Sequence, residues 1–211
     1  MRKDKEHAIM NSFLRQLVLC IPVASSALCV GCGSTAPSRF YLLDPLGTPG
    51  GAAGATNTLS IGVGPINLPP YLARPQIVTR DGGPEIDVAE YDRWAEPLDE
   101  NVVRVLADNL SRLIGTDHIA LFPWRGTLPL DYRIGADVTR FDGELGGDAV
   151  LNVRWALRSA SETEFLIVKT TTLRESVESE EYDALVGAQS KLLGKWSQEI
   201  AAAVQKASSS Q

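Results

Sequence analysis

Three runs of alternating residues in the C-terminal half constrain the fold more than any other feature. Tyr132 to Phe141 (YRIGADVTRF) puts Ile134, Ala136 and Val138 on one side, and Arg133, Asp137 and Thr139 mostly on the other. Ala149 to Leu157 (AVLNVRWAL) and Phe165 to Leu173 (FLIVKTTTL) repeat the pattern. A period of two belongs to strands with one buried face. Asp142-Gly143-Glu144-Leu145-Gly146-Gly147 reads as a turn between the first two runs. The connections are short, so an antiparallel meander is expected.

Smaller signals surround this meander. Phe40-Tyr41-Leu42-Leu43 reads as a short strand, and Gly47 to Asn57 (GTPGGAAGATN) as a glycine- and alanine-rich loop. Leu59 to Val63 suits a strand that Pro65, Pro69 and Pro70 would break. Ile77-Val78-Thr79 and Ile86-Asp87-Val88 flank Asp81-Gly82-Gly83-Pro84, which predicts a hairpin. His118 to Trp124 reads as another short strand.

Two helices are expected. The first starts near Pro97 or Asp99, with Asp99 and Glu100 placed to complement its N-terminal dipole. Val102, Val103, Leu106, Leu110 and Leu113 form its apolar face, and Gly115 ends it. The second runs from about Tyr182 to Lys206, with Leu185, Leu192, Leu193, Trp196, Ile200 and Val204 on its buried side. The fold class expected is α+β: one domain, mainly antiparallel sheet, with two amphipathic helices packed on one face. Residues 208–211 read as a disordered tail.

The N-terminus carries an address. Arg2, Lys3, Lys5 and Arg15 precede an uncharged, mostly apolar run from Leu17 to Val30. That run is shorter than the roughly 20 residues a helix needs to cross about 30 Å of hydrocarbon. A basic start, a short apolar middle and a small-residue end describe a signal peptide. The end, Cys29-Val30-Gly31-Cys32, resembles a bacterial lipobox, with Gly31 before the cysteine that receives lipid. Cys29 stands where lipoboxes usually have Leu. The expected organisation is a lipoprotein signal peptide at 1–31, a lipid-anchored tether at 32–39 and a folded domain at 40–207. A plain secreted protein or a short buried anchor is the alternative. Acylation of Cys32 by several chains, palmitate among them, anchors firmly where one chain alone binds marginally. Gly33 rather than Asp after Cys32 resembles the signal for export to the outer membrane, facing the periplasm.

Composition narrows the chemistry. The formal net charge is -6 across 211 residues, which argues against a nucleic-acid partner held by phosphate neutralisation. Two histidines and three cysteines leave little for a His/Cys metal cluster, and beyond residue 31 only Cys32 remains for any disulfide. His118 is the one histidine outside the signal segment, and no G-x-S-x-G elbow accompanies it. Gly62-Val63-Gly64 starts like a dinucleotide fingerprint but runs into Pro65 and ends on Asn67. No catalytic residues, no metal site and no cofactor are expected. The acidic run Glu175, Glu178, Glu180, Glu181 and Asp183 reads as a solvated approach to the last helix. Trp94 and Trp124 lie in or beside loops, open to a share in a lipid or partner groove.

Two strings carry a family resemblance: Leu68 to Arg80 (LPPYLARPQIVTR), and Arg93 to Leu98 (RWAEPL) before VLADNLSRL. With FYLLDPL after the lipobox, they make the chain resemble the PqiC-like family of ABC-type transport auxiliary lipoproteins, from Phe40 to about Trp196. Ala73 departs from the Asp common there. The resemblance implies a non-enzymatic outer-membrane lipoprotein. Its implied partner is an MCE-domain protein and, indirectly, an inner-membrane ABC transporter or permease, in a system moving lipids or other apolar solutes and supporting envelope integrity. Self-association into a homo-oligomer is also expected. A lipid-binding carrier with its own apolar pocket is the alternative. Tyr71, Arg74, Gln76, Arg93, Trp94 and Glu96 are the candidate partner-interface residues. For Arg74, Arg93 and Glu96 the competing reading is internal salt links that hold the hairpin on the helix.

Overall fold

The computed structural model describes residues 36–47, 57–124, 129–159 and 165–209. The signal segment, Cys32, the start of the tether, most of the Gly47–Asn57 loop and the last two residues lie outside the described residues. The chain divides into two units, Met1–Pro37 and Ser38–Gln211, and the elements below all lie in the second. They are β1 (Arg39–Tyr41), β2 (Ile61–Asn67), a 3-10 turn (Pro70–Leu72), β3 (Gln76–Thr79), β4 (Asp87–Trp94), α1 (Leu98–Ile114), β5 (Ile119–Leu121), β6 (Tyr132–Gly143), β7 (Asp148–Ser159), β8 (Phe165–Ser176) and α2 (Tyr182–Ser208).

The expected α+β class holds, and the strands divide between two sheets. One has the order β1-β4-β3 and the other β5-β2-β6-β7-β8. The three alternating runs form the antiparallel meander β6-β7-β8. The short strands add parallel ladders: β1 on β4, and β2 on both β5 and β6. Ile134, Ala136 and Val138 of β6 face inward, with Leu151, Val153, Trp155 and Leu157 of β7. Both helices cover that face, α1 over β2 and β5, α2 over β6, β7 and β8. The two helices also pack on each other. Trp196 and Ile200 of α2 and Val105, Leu106 and Leu110 of α1 are fully buried, each contributing about 1.5–3 kcal/mol by leaving water.

Several boundaries differ from expectation for physical reasons. β2 continues through Pro65, because the β2–β6 register shifts between Val63 and Ile66. A proline in that irregularity removes no ladder hydrogen bond. β6 extends through Asp142 and Gly143, read above as turn, because they pair with Val150 and Ala149 of β7. The strand expected over His118–Trp124 is only Ile119–Leu121. Gly115 closes α1 with φ 74°, a conformation that disfavours side chains with a Cβ.

A strap from Leu43 to Leu46 joins β1 to the helices. The Leu43 amide donates to Asn101 Oδ1 (2.8 Å) and the Leu46 amide to Asn109 Oδ1 (2.6 Å). Both asparagines lie on α1 and are fully buried. Asn109 Nδ2 donates onward to Ser197 Oγ of α2 (3.1 Å), and Asn101 Nδ2 to Glu96 Oε1 (2.6 Å). Arg104 also donates to Glu96 Oε1 (2.6 Å). Leu46 lies on Gly194 of α2, where an added Cβ would stand 2.5 Å from Leu46 Cδ2. The Arg104 guanidinium, joined by Asn101, holds the Glu96 carboxyl below the usual carboxylate range against partial desolvation.

Asn101→Ala removes the acceptor of a buried amide and one donor to Glu96. Urea unfolding should show a loss of about 1–3 kcal/mol, whereas an unchanged midpoint would mean the strap is held by other contacts. Glu96 binds its proton less readily folded than unfolded. Its contribution is therefore complete above the ordinary glutamate value of about 4.3 and is lost as pH falls through the lower folded value. As pH falls from about 4.3 towards that lower value, the thermal midpoint of the wild type should drop more steeply than that of Glu96→Gln. Parallel profiles would contradict this role.

Candidate functional site

The sequence candidates lie on the segment after β2 and around the end of β4, and they take different roles. Tyr71, in the 3-10 turn, donates its hydroxyl to Asp142 Oδ2 (2.7 Å). Asp142 is fully buried and accepts from Arg140 Nε at 2.6 Å, with Arg80 Nε 3.5 Å away. The Arg80 guanidinium stands 5.1 Å from the centre of the Tyr71 ring. Burial first, and the Asp142 carboxylate next, push the Tyr71 hydroxyl well above the usual phenol range. Tyr71 thus holds its loop on the end of β6. Trp94 is only 5% exposed and packs in the core. Glu96 is engaged by Asn101 and Arg104, so its internal partners lie on α1.

The remaining three candidates lie together at a surface. β1 pairs Phe40 with Arg93, and β3 pairs Gln76 with Arg93. Phe40, Arg93 and Gln76 therefore form one row across the three-stranded sheet. Phe40 is 65% exposed, and Arg74 is exposed just before β3. Arg74 and Arg93 form no ion pair with any described residue, and Arg93 Nε is buried without a hydrogen-bond partner among them. Sequence reasoning missed Phe40 because a phenylalanine in a short, continuously apolar strand reads as core.

A second surface lies on the face of the five-stranded sheet that the helices leave open. It is a groove of about 390 Å³ over β2, β6, β7 and β8. Register places its residues in three rows. Arg133 of β6 stands opposite Arg158 of β7, which stands opposite Phe165 of β8. Gly135, Ala156 and Val168 form the next row. Asp137, Arg154 and Thr170 form the third, with Asn67 of β2 donating to Asp137 Oδ1 at 2.7 Å. Trp124 lies flat enough on β2 that a Cβ at Gly62 would meet its Nε1 at 2.8 Å. The Arg133 guanidinium sits 4.9 Å from the Trp124 ring centre. Sequence reasoning marked Trp124 for such a groove but read the arginines as the solvated side of their strands. Their clustering depends on cross-strand register, which no single run displays.

The expected chemical blanks have ordinary surroundings. His118 is exposed, with Nδ1 3.4 Å from the Thr58 carbonyl. Glu175 accepts from Lys195 (2.5 Å), whose ammonium draws its carboxyl below the usual range. Lys191 donates to Glu178 (3.1 Å), and Arg39 reaches Glu181 (3.5 Å). The acidic run is thus partly neutralised by α2 and β1. Among the described residues no helix is long and apolar enough to cross a membrane.

Known proteins resemble this chain in sequence or in fold. Intermembrane transport lipoprotein PqiC of Escherichia coli (strain K12) is 27% identical over 182 residues, covering 83% of this chain and 90% of that protein. The protein of the same name from Shigella flexneri matches equally. Among solved structures, a protein from Xanthomonas campestris superposes with a TM-score of 0.66 at 18% identity, over 82% of this chain and 99% of that one. An uncharacterized protein superposes at 0.64 with 21% identity, over 80% and 99%. These two structures share the fold. The model of the ABC-type transport auxiliary lipoprotein component matches residues 41–201, nearly the whole compact unit. The chain therefore belongs to the ABC-type transport auxiliary lipoprotein family, a PqiC-like family of transport components rather than of enzymes.

Proposed function

We propose that this auxiliary lipoprotein is anchored through Cys32 to the periplasmic side of the outer membrane. There it docks an MCE-domain protein, served by an inner-membrane ABC transporter or permease, in a system that moves lipids or other apolar solutes and supports envelope integrity. The observation that carries the reading is the extent of the family match. It runs from β1 into α2, so the folded unit as a whole is the auxiliary component, with the lipobox-like segment upstream. The row Phe40, Arg93 and Gln76, with Arg74 beside it, is the proposed docking patch. An exposed aromatic beside two arginines without ion-pair partners among the described residues has the composition of an interface anchor. Tyr71, Trp94 and Glu96 support the patch from behind: Tyr71 holds the loop bearing Arg74, Trp94 follows Arg93 into the core, and Glu96 braces the start of α1. Several copies of the domain would present several such patches to a multimeric partner.

The carrier alternative asks for an enclosed apolar pocket. The groove over β6 and β7 is open along the sheet face, so it does not favour that reading.

Cys32→Ala should release the chain from envelope membranes while its thermal midpoint stays unchanged. A variant still bound to membranes would refute the lipid anchor. Affinity capture of the native lipidated chain from crosslinked envelopes should recover an MCE-domain protein, identified by mass spectrometry. Arg74→Glu with Arg93→Glu should lower that recovery by about tenfold or more, since a buried anchor at an interface contributes about 2 kcal/mol. Stoichiometric lipid in the washed chain, with no such partner, would favour the carrier instead.

A further inference from the structure

The open face of the five-stranded sheet carries an arrangement that the fold does not require. Arg133 and Arg158 stand directly opposite each other on β6 and β7. Like charges in that position destabilise a sheet. Neither forms an ion pair with any described residue, and Arg133 Nε and Trp124 Nε1 are buried without a hydrogen-bond acceptor among them. Among the described residues that line the groove, the one acidic side chain, Asp137, is bonded by Asn67 in the third row. The chain carries a net charge of -6, yet among the described residues this groove holds three arginines against that single aspartate.

The apolar residues complete the pattern. Trp124, lying over β2, and Phe165 of β8 bracket the arginine pair from the two sides. Phe165 is 61% and Val168 52% exposed, on a face no helix covers. Behind the arginines, Gly135 and Ala156 make a floor without bulk, walled by Val168 and by Pro65. A cationic row, an apolar row and a polar row thus follow one another along the strands.

We propose that this groove binds a single membrane phospholipid, with its phosphate bridging Arg133 and Arg158 and part of an acyl chain lying over Gly135 and Ala156. Two guanidiniums facing each other match the several acceptors of one phosphate, which pairs with arginine in bidentate fashion. The phosphate turns a like-charge repulsion into a shared contact. Trp124 and Phe165 offer amphipathic or apolar edges at the depth of the glycerol and the first methylenes. Free phosphate would satisfy the arginines but leave the apolar row wet. A partner's carboxylate would do the same, and the shallow Gly135–Ala156 floor is shaped for a featureless chain rather than for side chains. The site lies on a different sheet from the Phe40–Arg93–Gln76 patch, so it does not depend on the docking reading.

The test keeps the full lipidated chain in its own envelope. A photoreactive benzoylphenylalanine replaces Val168 in the groove and, as a control, exposed Gln198 on α2. After irradiation, mass spectrometry should find one phosphate-bearing glycerophospholipid attached at position 168, well above the control. Arg133→Gln with Arg158→Gln should reduce the adduct about tenfold or more, since losing charge-assisted contacts weakens binding on that scale. Arg158→Lys should retain an intermediate yield. The double variant should keep its thermal midpoint or raise it, because a repulsion is removed, and capture of the transport partner should be unchanged. Equal lipid yield at 168 and 198, a yield indifferent to the arginines, or an adduct to a protein at 168 would each overturn the proposal. Loss of partner capture with the lipid adduct intact would instead count against the docking reading.

Discussion

Two buried asparagines on α1 decide how the N-terminal part of the domain is held. Asn101 and Asn109 lie eight positions apart on one side of the helix, and each accepts a backbone amide from the strap that follows β1. A backbone amide in an apolar surround needs an acceptor, and an amide side chain supplies one without a net charge. The second half of each side chain is also satisfied, toward Glu96 and toward Ser197. Ser197 in turn donates to the Leu193 carbonyl (2.7 Å), so the same short network spans both helices. Apolar residues at these two positions would pack as well but would leave the strap without a fixed register.

That clasp has a consequence for the sheets. With the strap lying over Gly194 between the helices, α1 and α2 are committed to the inner face of the five-stranded sheet. Among the described residues no helix layers the opposite face. A strand buried on one side usually offers solvated polar residues on the other. Here the outward positions of β6 and β7 include Gly135 and Ala156, which are neither polar nor bulky. Small residues on an exposed strand surface weaken the strand and bring no solubility. Their presence between rows of arginine is what distinguishes this face from an ordinary solvated one.

The meander, the hairpin and both helices were legible in the sequence because each is written in a local period. Leu185 to Val204 repeats every three or four residues, and Ile134 to Val138 every two. What was not legible depends on pairing across distance. Nothing near Phe40 says that β1 runs parallel to β4, fifty residues on, or that Phe40 therefore lands beside Arg93. Pro65 reads as a breaker in isolation and becomes harmless only where the β2–β6 register slips. The candidate list shows the same limit. Arg74, Gln76 and Arg93 reach the surface together, but Trp94 alternates inward, as the next residue on a strand must. Trp124 was singled out from its loop position. Its partners Arg133 and Arg158 were invisible as a pair, because they come together only through the β6–β7 register.

Asp142 shows why the loop bearing Arg74 can be rigid without being apolar. A fully buried carboxylate is costly to desolvate, and its attraction to two arginines offsets this only when its remaining acceptor sites are filled. Tyr71 fills one of them, and through it the loop after β2 is tied to the far end of β6. With an apolar residue in place of Asp142, Arg80, Arg140 and the Tyr71 hydroxyl would lose their shared acceptor. The loop would keep its prolines and lose its direction. The polar node therefore contributes orientation more than stability. Orientation is what a docking surface built from a short, exposed loop needs.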